Sequence, residues 1–439
     1  YVLQSFALPD LEVKIPTPSW FATNRHGGLK GIWGRLYHIA MRNDKTLQMV
    51  LSLLNVYTSV FYDTVPLKTL AGEYSSIVRK TNHHGRSPRM HTLKPNTVRR
   101  MLHRFHDKPV RLTMPIPVLQ VPPAKSSEVF KLPNDILQAR NLWFNLRSYH
   151  GRKIISRAIG GDPIPEDDYI GDTTRELHPD GGSYTTYCGT IHHTCEPGLK
   201  IRYFAAPNLV FQRMLEPLKD SLMSYLRHLP WDCTLNQRKA DTVISTQLKR
   251  GSTVFSVDLS SATDKFPYWF QEVVLRAVLP TRKGSKAQRM RGNAYADLFH
   301  RMVKGNWGSE FGKLRWRVGQ PLGLGPSFPL FSLSHGFLLL LLNGGKWRKQ
   351  FYVVGDDVVI LRKKLYIQYM DVLASWNVPI SPSKSFSSNR IAQFAGKTYT
   401  PWSSFWTPKW VGITRTNLVD IAAFWYEGFA QGLKDEVLI

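Results

Sequence analysis

Three short stretches carry carboxylates where a chain usually avoids them. Residues 351–363, FYVVGDDVVILRK, set Asp356 and Asp357 side by side between two β-branched runs, and the apolar run VFSVD at 254–258 ends on Asp258. Asp264 follows six positions later, in DLSSATDKFP. An ionised carboxylate beside so much apolar surface is costly unless something offsets its charge. Alone, Gly-Asp-Asp is ordinary turn sequence. Together with Asp258 it becomes a set of carboxylates that adjacent strands would bring to one point. Two Mg²⁺ (or Mn²⁺) ions about 4 Å apart are the usual solution, one activating an attacking hydroxyl and the other stabilising the leaving oxygen of an in-line phosphoryl transfer. Such chemistry is nucleotidyl transfer.

The elements that must position these groups follow from hydrophobic spacing. STVFSVDLS has the pattern of a buried strand ending at Asp258, and PYWFQEVVLRAVL that of a helix with Pro267 in its first turn. GQPLGLGPS is a Gly/Pro loop leading into an apolar helix from Phe328. FYVV and DVVIL are broken only by Gly355-Asp356, which predicts a hairpin with the aspartates at its tip. KLYIQYMDVLASWN predicts a helix and IAQFAGKTYT a strand. This order gives an α+β sheet with helices behind it. The apolar stretch FPLFSLSHGFLLLLLNGG, 328–345, contains Ser and His and falls short of the roughly 20 residues a spanning helix needs. It reads as a buried helix with His335 as a satisfied core histidine, and no membrane span is expected.

Composition narrows the partner. The chain has 439 residues, 43% hydrophobic and 12% aromatic, enough for two or three domain-sized units in a folded body. Lys and Arg number 58 against 32 Asp and Glu, a net charge of +26 that favours a polyanion through counterion release. Residues 79–111 hold ten Lys/Arg and one acid, and 282–317 hold ten Lys/Arg and two acids. Arg99, Arg100, Arg104, Arg315 and Arg317 are the candidate contacts to RNA or DNA within these runs. Phe105, Trp307, Phe311 and Trp316 lie among the charges and suit base stacking or a core equally.

Three cysteines cannot build a disulfide framework and suggest a reducing compartment. CGTIHHTC, Cys188 to Cys195, fits none of the common zinc spacings. No Walker loop, GxGxxG or Ser-His-Asp constellation stands out, so no ATPase or hydrolase is expected. The chain begins at Tyr1 without Met, which reads as a fragment or a trimmed product, so a targeting signal is not legible.

In order, VDLSSATDKFP, GQPLGLGPSFPLFSLSH, GDDVVI and SPSKSF resemble motifs A, B, C and D of viral RNA-dependent RNA polymerases. With KIRYFAAPNLVFQRMLEPLKDSL and DCTLNQ upstream, the set is similar to the mitovirus branch, relatives of narnaviruses and ourmia-like viruses, over roughly 196–400. The resemblance implies an α+β right-hand polymerase with palm, fingers and a short or truncated thumb. Residues 1–195 would form an N-terminal region and part of the fingers, and 196–250 the fingers including motif F. Residues 251–400 would form the palm, with a basic fingers insert at 282–317, and 401–439 the start of the thumb.

Roles follow by resemblance. Asp258 and Asp356 would ligate both metals, with Asp357 a weaker ligand or electrostatic partner. Asp264 is similar to the residue that binds the ribose 2′-OH. Lys200 and Arg202, with Arg213 as an addition, match the cations that hold the triphosphate, and Lys384 the lysine that protonates pyrophosphate. Gly323 and Ser327 complete the nucleotide site. Ser327 stands where many such enzymes carry Asn. The implied partners are an RNA template and product and nucleoside triphosphates, and the implied setting is a monomer in mitochondria. Two other readings stand beside this one: a reverse transcriptase of intron-maturase type, which Gly355 and Asp264 oppose, and a host-captured RNA-binding copy without activity, which the intact carboxylates oppose.

Overall fold

The computed structural model describes residues 30–55, 93–120, 126–161, 187–196, 200–280, 285–382 and 384–407. The first part of the 79–111 basic run and residues 408–439, expected within the start of the thumb, lie outside them. The strands are β1 (Tyr187–Glu196), β2 (Lys200–Pro207), β3 (Val254–Asp258), β4 (Asn306–Ser309), β5 (Gly312–Leu314), β6 (Phe351–Val354), β7 (Asp357–Ile360), β8 (Phe386–Ser388), β9 (Ala392–Phe394), β10 (Lys397–Tyr399) and β11 (Ser404–Trp406). They form three sheets, ordered β6-β7-β3-β8, β2-β1-β4-β5 and β11-β10-β9.

The first sheet positions the carboxylates. Its strands are antiparallel throughout, and β3 is central, with Val254–Val257 buried. Burial on both faces explains why VFSV shows no alternation. WDCT, at 231–234, runs beside β6: Val353 donates its N–H to the Trp231 carbonyl at 3.0 Å, and Cys233 donates to the Val353 carbonyl at 2.9 Å.

Behind the sheet lies the helix Ser327–Leu342, buried along nearly its whole length. A helix apolar on every side belongs in a core rather than on a surface, and each fully buried Leu or Phe in it contributes about 1.5–3 kcal/mol. It packs on β6 and on the helices Leu209–Arg227, Tyr268–Val278 and Lys363–Ser375. Gly336 lets it approach the Trp231 indole, into which an added Cβ would run. His335 is fully buried as expected, and burial lowers its pKa to about 4.

Some elements differ from expectation. Pro267 precedes its helix as an extended N-cap rather than sitting in the first turn, with ψ 121. IAQFAGKTYT is not one strand but the hairpin β9–β10, because Ala395 (φ 52) and Gly396 (φ 76) are both left-handed and reverse the chain. The sheet carrying this hairpin holds the helices Gly31–Ala40 and Asp44–Leu54 through Asp44, whose carboxylate accepts from Thr400 at 2.7 Å and Ser403 at 2.6 Å.

Candidate active site

Strand register brings the carboxylates together. Asp258 ends β3 directly opposite Asp357, the first residue of β7, while Asp356 occupies the turn. The tip therefore carries Asp356, with Asp357 one step inside the ladder. Gly355 makes this turn possible: its φ is 57, and an added Cβ would lie 3.0 Å from the Phe328 ring. Asp357 accepts a hydrogen bond from the Ala395 N–H at 3.0 Å, which commits one oxygen to the β9–β10 turn. Lys384 Nζ lies 2.8 Å from Asp258 Oδ2.

The charges report crowding. Burial first, then the neighbouring Asp258, raises the pKa of Asp356. The same causes, with Asp356 added, lift Asp357 to about 7. Burial opposes the charge on Lys384, yet its bond to Asp258 and the three carboxylate charges hold its pKa above the usual lysine value. One ammonium does not balance three carboxylates, so the cluster is short of positive charge. A hard divalent cation on oxygen donors would supply what is missing. Asp258 and Asp357 each have one oxygen engaged, by Lys384 and by the Ala395 N–H, and each keeps a second oxygen beside Asp356 for such an ion.

Asp264 sits on a single helical turn, Ala262–Lys265, after β3. Trp316 donates its indole N–H to Asp264 Oδ1 at 2.7 Å and so fixes the carboxylate. The GQPLG loop is docked by backbone: Gly319 N–H donates to the Asp264 carbonyl at 2.9 Å, and Ala205 N–H on β2 donates to the Leu322 carbonyl at 2.6 Å. A Cβ on Gly319 would collide with the Thr263 carbonyl and one on Gly323, at φ 105, with that of Ala205. The loop thus ties the turn after β3 to β2. Ser327, in the first turn of its helix, is 1% exposed and its hydroxyl has no hydrogen-bond partner among the described residues.

The cations separate into groups. Arg202 on β2 pairs with Glu196 at 2.6 Å and is close enough to lower the pKa of Asp356 against its other neighbours. Lys200, at the start of the same strand, is exposed. Arg213 turns instead onto its own helix, 2.8 Å from Glu216. Arg99 donates to the carbonyls of Ala277 at 2.8 Å and Arg276 at 3.1 Å, closing the end of the Tyr268–Val278 helix, whereas Arg100 and Arg104 are exposed. Along 313–318 the chain alternates, with Lys313, Arg315 and Arg317 outward and Leu314, Trp316 and Val318 buried. Trp307 and Trp316 are core, Phe105 packs edge-on against Trp231, and Phe311 is exposed. Sequence reading offered Trp316 for base stacking or a core and missed its bond to Asp264, although the alternation of KLRWRV pointed it inward. Cys188 and Cys195 lie seven apart on β1, hence on opposite faces, which argues against a shared ion.

Residues 170–434 match the family described as Mitovirus RNA-dependent RNA polymerase, over half of the chain. The chain belongs to the mitovirus RNA-dependent RNA polymerase family. That match extends past 196–400 on both sides. Within this polymerase family, the RNA-directed RNA polymerase of Cryphonectria parasitica mitovirus 1 is 25% identical over 221 residues, 49% of this chain and 26% of that protein. The alignment thus spans about a quarter of that relative's length. An uncharacterized mitochondrial protein of Arabidopsis thaliana is 31% identical over 164 residues, 36% of this chain and 76% of the relative. The RNA-dependent RNA polymerase of a human picobirnavirus has a similar fold, with TM-score 0.57 and 13% identity over 92% of this chain and 81% of that one. The mitovirus polymerase family member described here therefore has an α+β polymerase fold.

Proposed function

We propose that this chain catalyses template-directed RNA synthesis from nucleoside triphosphates, replicating a viral RNA as its partner. The observation that carries this reading is the cross-strand pairing of Asp258 with Asp357, with Asp356 in the adjoining turn and Lys384 at 2.8 Å from Asp258. Asp258 and Asp356 would hold two Mg²⁺ or Mn²⁺ ions, with Asp357 completing the negative field. Bound there, such ions supply Lewis-acid activation of the attacking hydroxyl and stabilisation of the leaving oxygen.

The remaining steps belong to the protein. Lys200 and Arg202 on β2 orient the triphosphate, with Arg202 already acting across the site on Asp356. Asp264, its carboxylate fixed by Trp316, accepts a hydrogen bond from the ribose 2′-OH, and Gly323 keeps the loop beside the sugar close to β2. Lys384 holds its proton firmly and delivers it to pyrophosphate as that group leaves. Exposed Arg100, Arg104, Arg315 and Arg317 carry the RNA phosphates. We place the enzyme in mitochondria, in keeping with its mitoviral relative and the mitochondrial proteins it resembles, and take it to act as a monomer. No described helix is long and apolar enough to cross a membrane.

Primer extension on a generic RNA template with Mg²⁺ or Mn²⁺ tests the reading. The parent is expected to extend with ribonucleotides, and Asp258→Asn and Asp356→Asn to abolish extension while RNA binding stays near the parent value. Near-parent extension by both variants overturns the assignment. Equal use of ATP and dATP by the parent favours the reverse-transcriptase reading instead.

A further inference from the structure

The DCTLNQ motif and the SLSH stretch of the buried helix have no part in the steps above, yet both converge on Gly355. Ser332 and His335, three apart, lie on one face of the Ser327–Leu342 helix. Gly355 N–H donates to Ser332 Oγ at 3.3 Å, and Ser332 Oγ donates to Asp232 Oδ2 at 2.8 Å. On the other side of the same residue, the Gly355 carbonyl is 2.7 Å from His335 Nδ1, and His335 Nε2 is 2.6 Å from the Tyr369 hydroxyl.

The directions of these bonds are fixed. A carbonyl only accepts, so Nδ1 carries the proton, Nε2 is the acceptor, and Tyr369 donates. The outer ends are anchored in turn. Asp232 accepts from Thr234 N–H at 3.0 Å, within the segment paired to β6, and Tyr369 is fully buried in the Lys363–Ser375 helix. Two relays from three packed segments thus grip the N–H and the C=O of a single residue. That residue is the glycine whose φ of 57 shapes the turn and whose missing side chain would otherwise leave it free to rotate. The next residue is Asp356.

We propose that Asp232, Ser332, His335 and Tyr369 are positioning residues for nucleotidyl transfer, clamping the two peptide groups that meet at Gly355 so that the Asp356 carboxylate in the turn stays beside Asp258. This rests on the polymerase reading above. A misplacement near 1 Å at a reacting centre costs on the order of a hundredfold in rate, so a clamp of this kind acts on turnover. It does not touch the cations on β2 that orient the triphosphate.

The test uses the full chain and the nearly isosteric variants Ser332→Ala and Tyr369→Phe, with His335→Leu and His335→Asn beside them. Single-nucleotide incorporation is measured as maximal rate and half-saturating nucleotide. Ser332→Ala and Tyr369→Phe are each expected to lower the maximal rate about tenfold or more, with half-saturation within about threefold of the parent. His335→Asn, which keeps an N–H donor near the Nδ1 position, is expected to recover part of what His335→Leu loses. Maximal rates within about twofold of the parent for both Ser332→Ala and Tyr369→Phe overturn the proposal. An independent arm titrates Mn²⁺ into each protein, without nucleotide, by electron paramagnetic resonance. Binding at least about threefold weaker in the variants is expected if the Asp356 carboxylate swings away from Asp258, and parent-like binding overturns the clamp. A parent that incorporates no nucleotide sinks the polymerase reading, and the Mn²⁺ arm still decides whether the clamp holds the carboxylates.

Discussion

Arg99, Arg100 and Arg104 are neighbours in sequence, and the structure predicts that they behave as two classes. Arg99 donates Nε to the Ala277 carbonyl at 2.8 Å and Nη2 to the Arg276 carbonyl at 3.1 Å, in the last turn of the Tyr268–Val278 helix. Those carbonyls are among the groups that a helix end leaves unpaired, and a cation there also meets the negative end of the helix dipole. With partial exposure discounting the two charge-assisted bonds, Arg99→Ala is expected to cost about 2 kcal/mol of stability. It is expected to leave the salt dependence of RNA binding alone. Arg100 and Arg104 are exposed. Each phosphate they contact adds about −0.7 to the slope of log affinity against log salt for a single strand, so Arg100→Ala/Arg104→Ala should flatten the slope by about 1.4. Fluorescence anisotropy of a labelled single-stranded RNA across a KCl series measures the slope, and urea unfolding measures stability. An Arg99→Ala protein with a flattened slope and unchanged unfolding refutes the division. A double variant with the parent slope removes this cluster from the RNA path.

Three further perturbations address the interior. Trp316→Phe keeps the ring but loses the 2.7 Å bond to Asp264; discrimination between ATP and dATP should fall about tenfold, about 1.4 kcal/mol, and an unchanged ratio would mean that Trp316 does not orient the sugar reader. His335 should make stability fall with acidity, because the unfolded ring takes up a proton below 6.5 and the folded one only near 4. Between those values the unfolded chain binds more protons, so the loss from neutral pH to pH 5 is about 2 kcal/mol; urea unfolding of His335→Asn should lack this component, and identical pH profiles contradict it. Gly323→Ala meets both a φ of 105 and the Ala205 carbonyl. It should cost about 2–3 kcal/mol, and a parent-like thermal midpoint shows that the loop docks differently.

The strands at 254–258 and 351–360 and the buried helix were legible because apolar runs of those lengths between turn residues have few other folds. That Asp258 and the hairpin aspartates would converge followed once a strand and a hairpin shared a sheet, whereas the register that sets Asp357, not Asp356, opposite Asp258 was not legible. The hairpin within IAQFAGKTYT was not legible as such, because its strands are three residues each and Ala395 carries a left-handed backbone that its side chain does not advertise. DCTLNQ was visible as a motif, but its pairing beside β6 was not, since that comes from bonding Val353, which lies 120 residues away from Cys233. Charge was the least legible property. Arg99 and Arg213 look like their neighbours in sequence, and only the groups facing them, a helix end and Glu216, divert them from solvent.

The central place of β3 has a consequence in time. Its partners β7 and β8 begin at Asp357 and Phe386, so the strand bearing Asp258 is synthesised about a hundred residues before anything can pair with it. At translation rates of about 5–20 residues per second, that interval lasts roughly 5–20 s. Throughout it VFSV, mostly apolar and with Val at both ends, is unpaired on a nascent chain, the kind of segment that invites aggregation or a chaperone. The carboxylates cannot meet until β7 has emerged. The carboxylate cluster that the proposed activity needs is therefore incomplete on a nascent chain until β7 has been made.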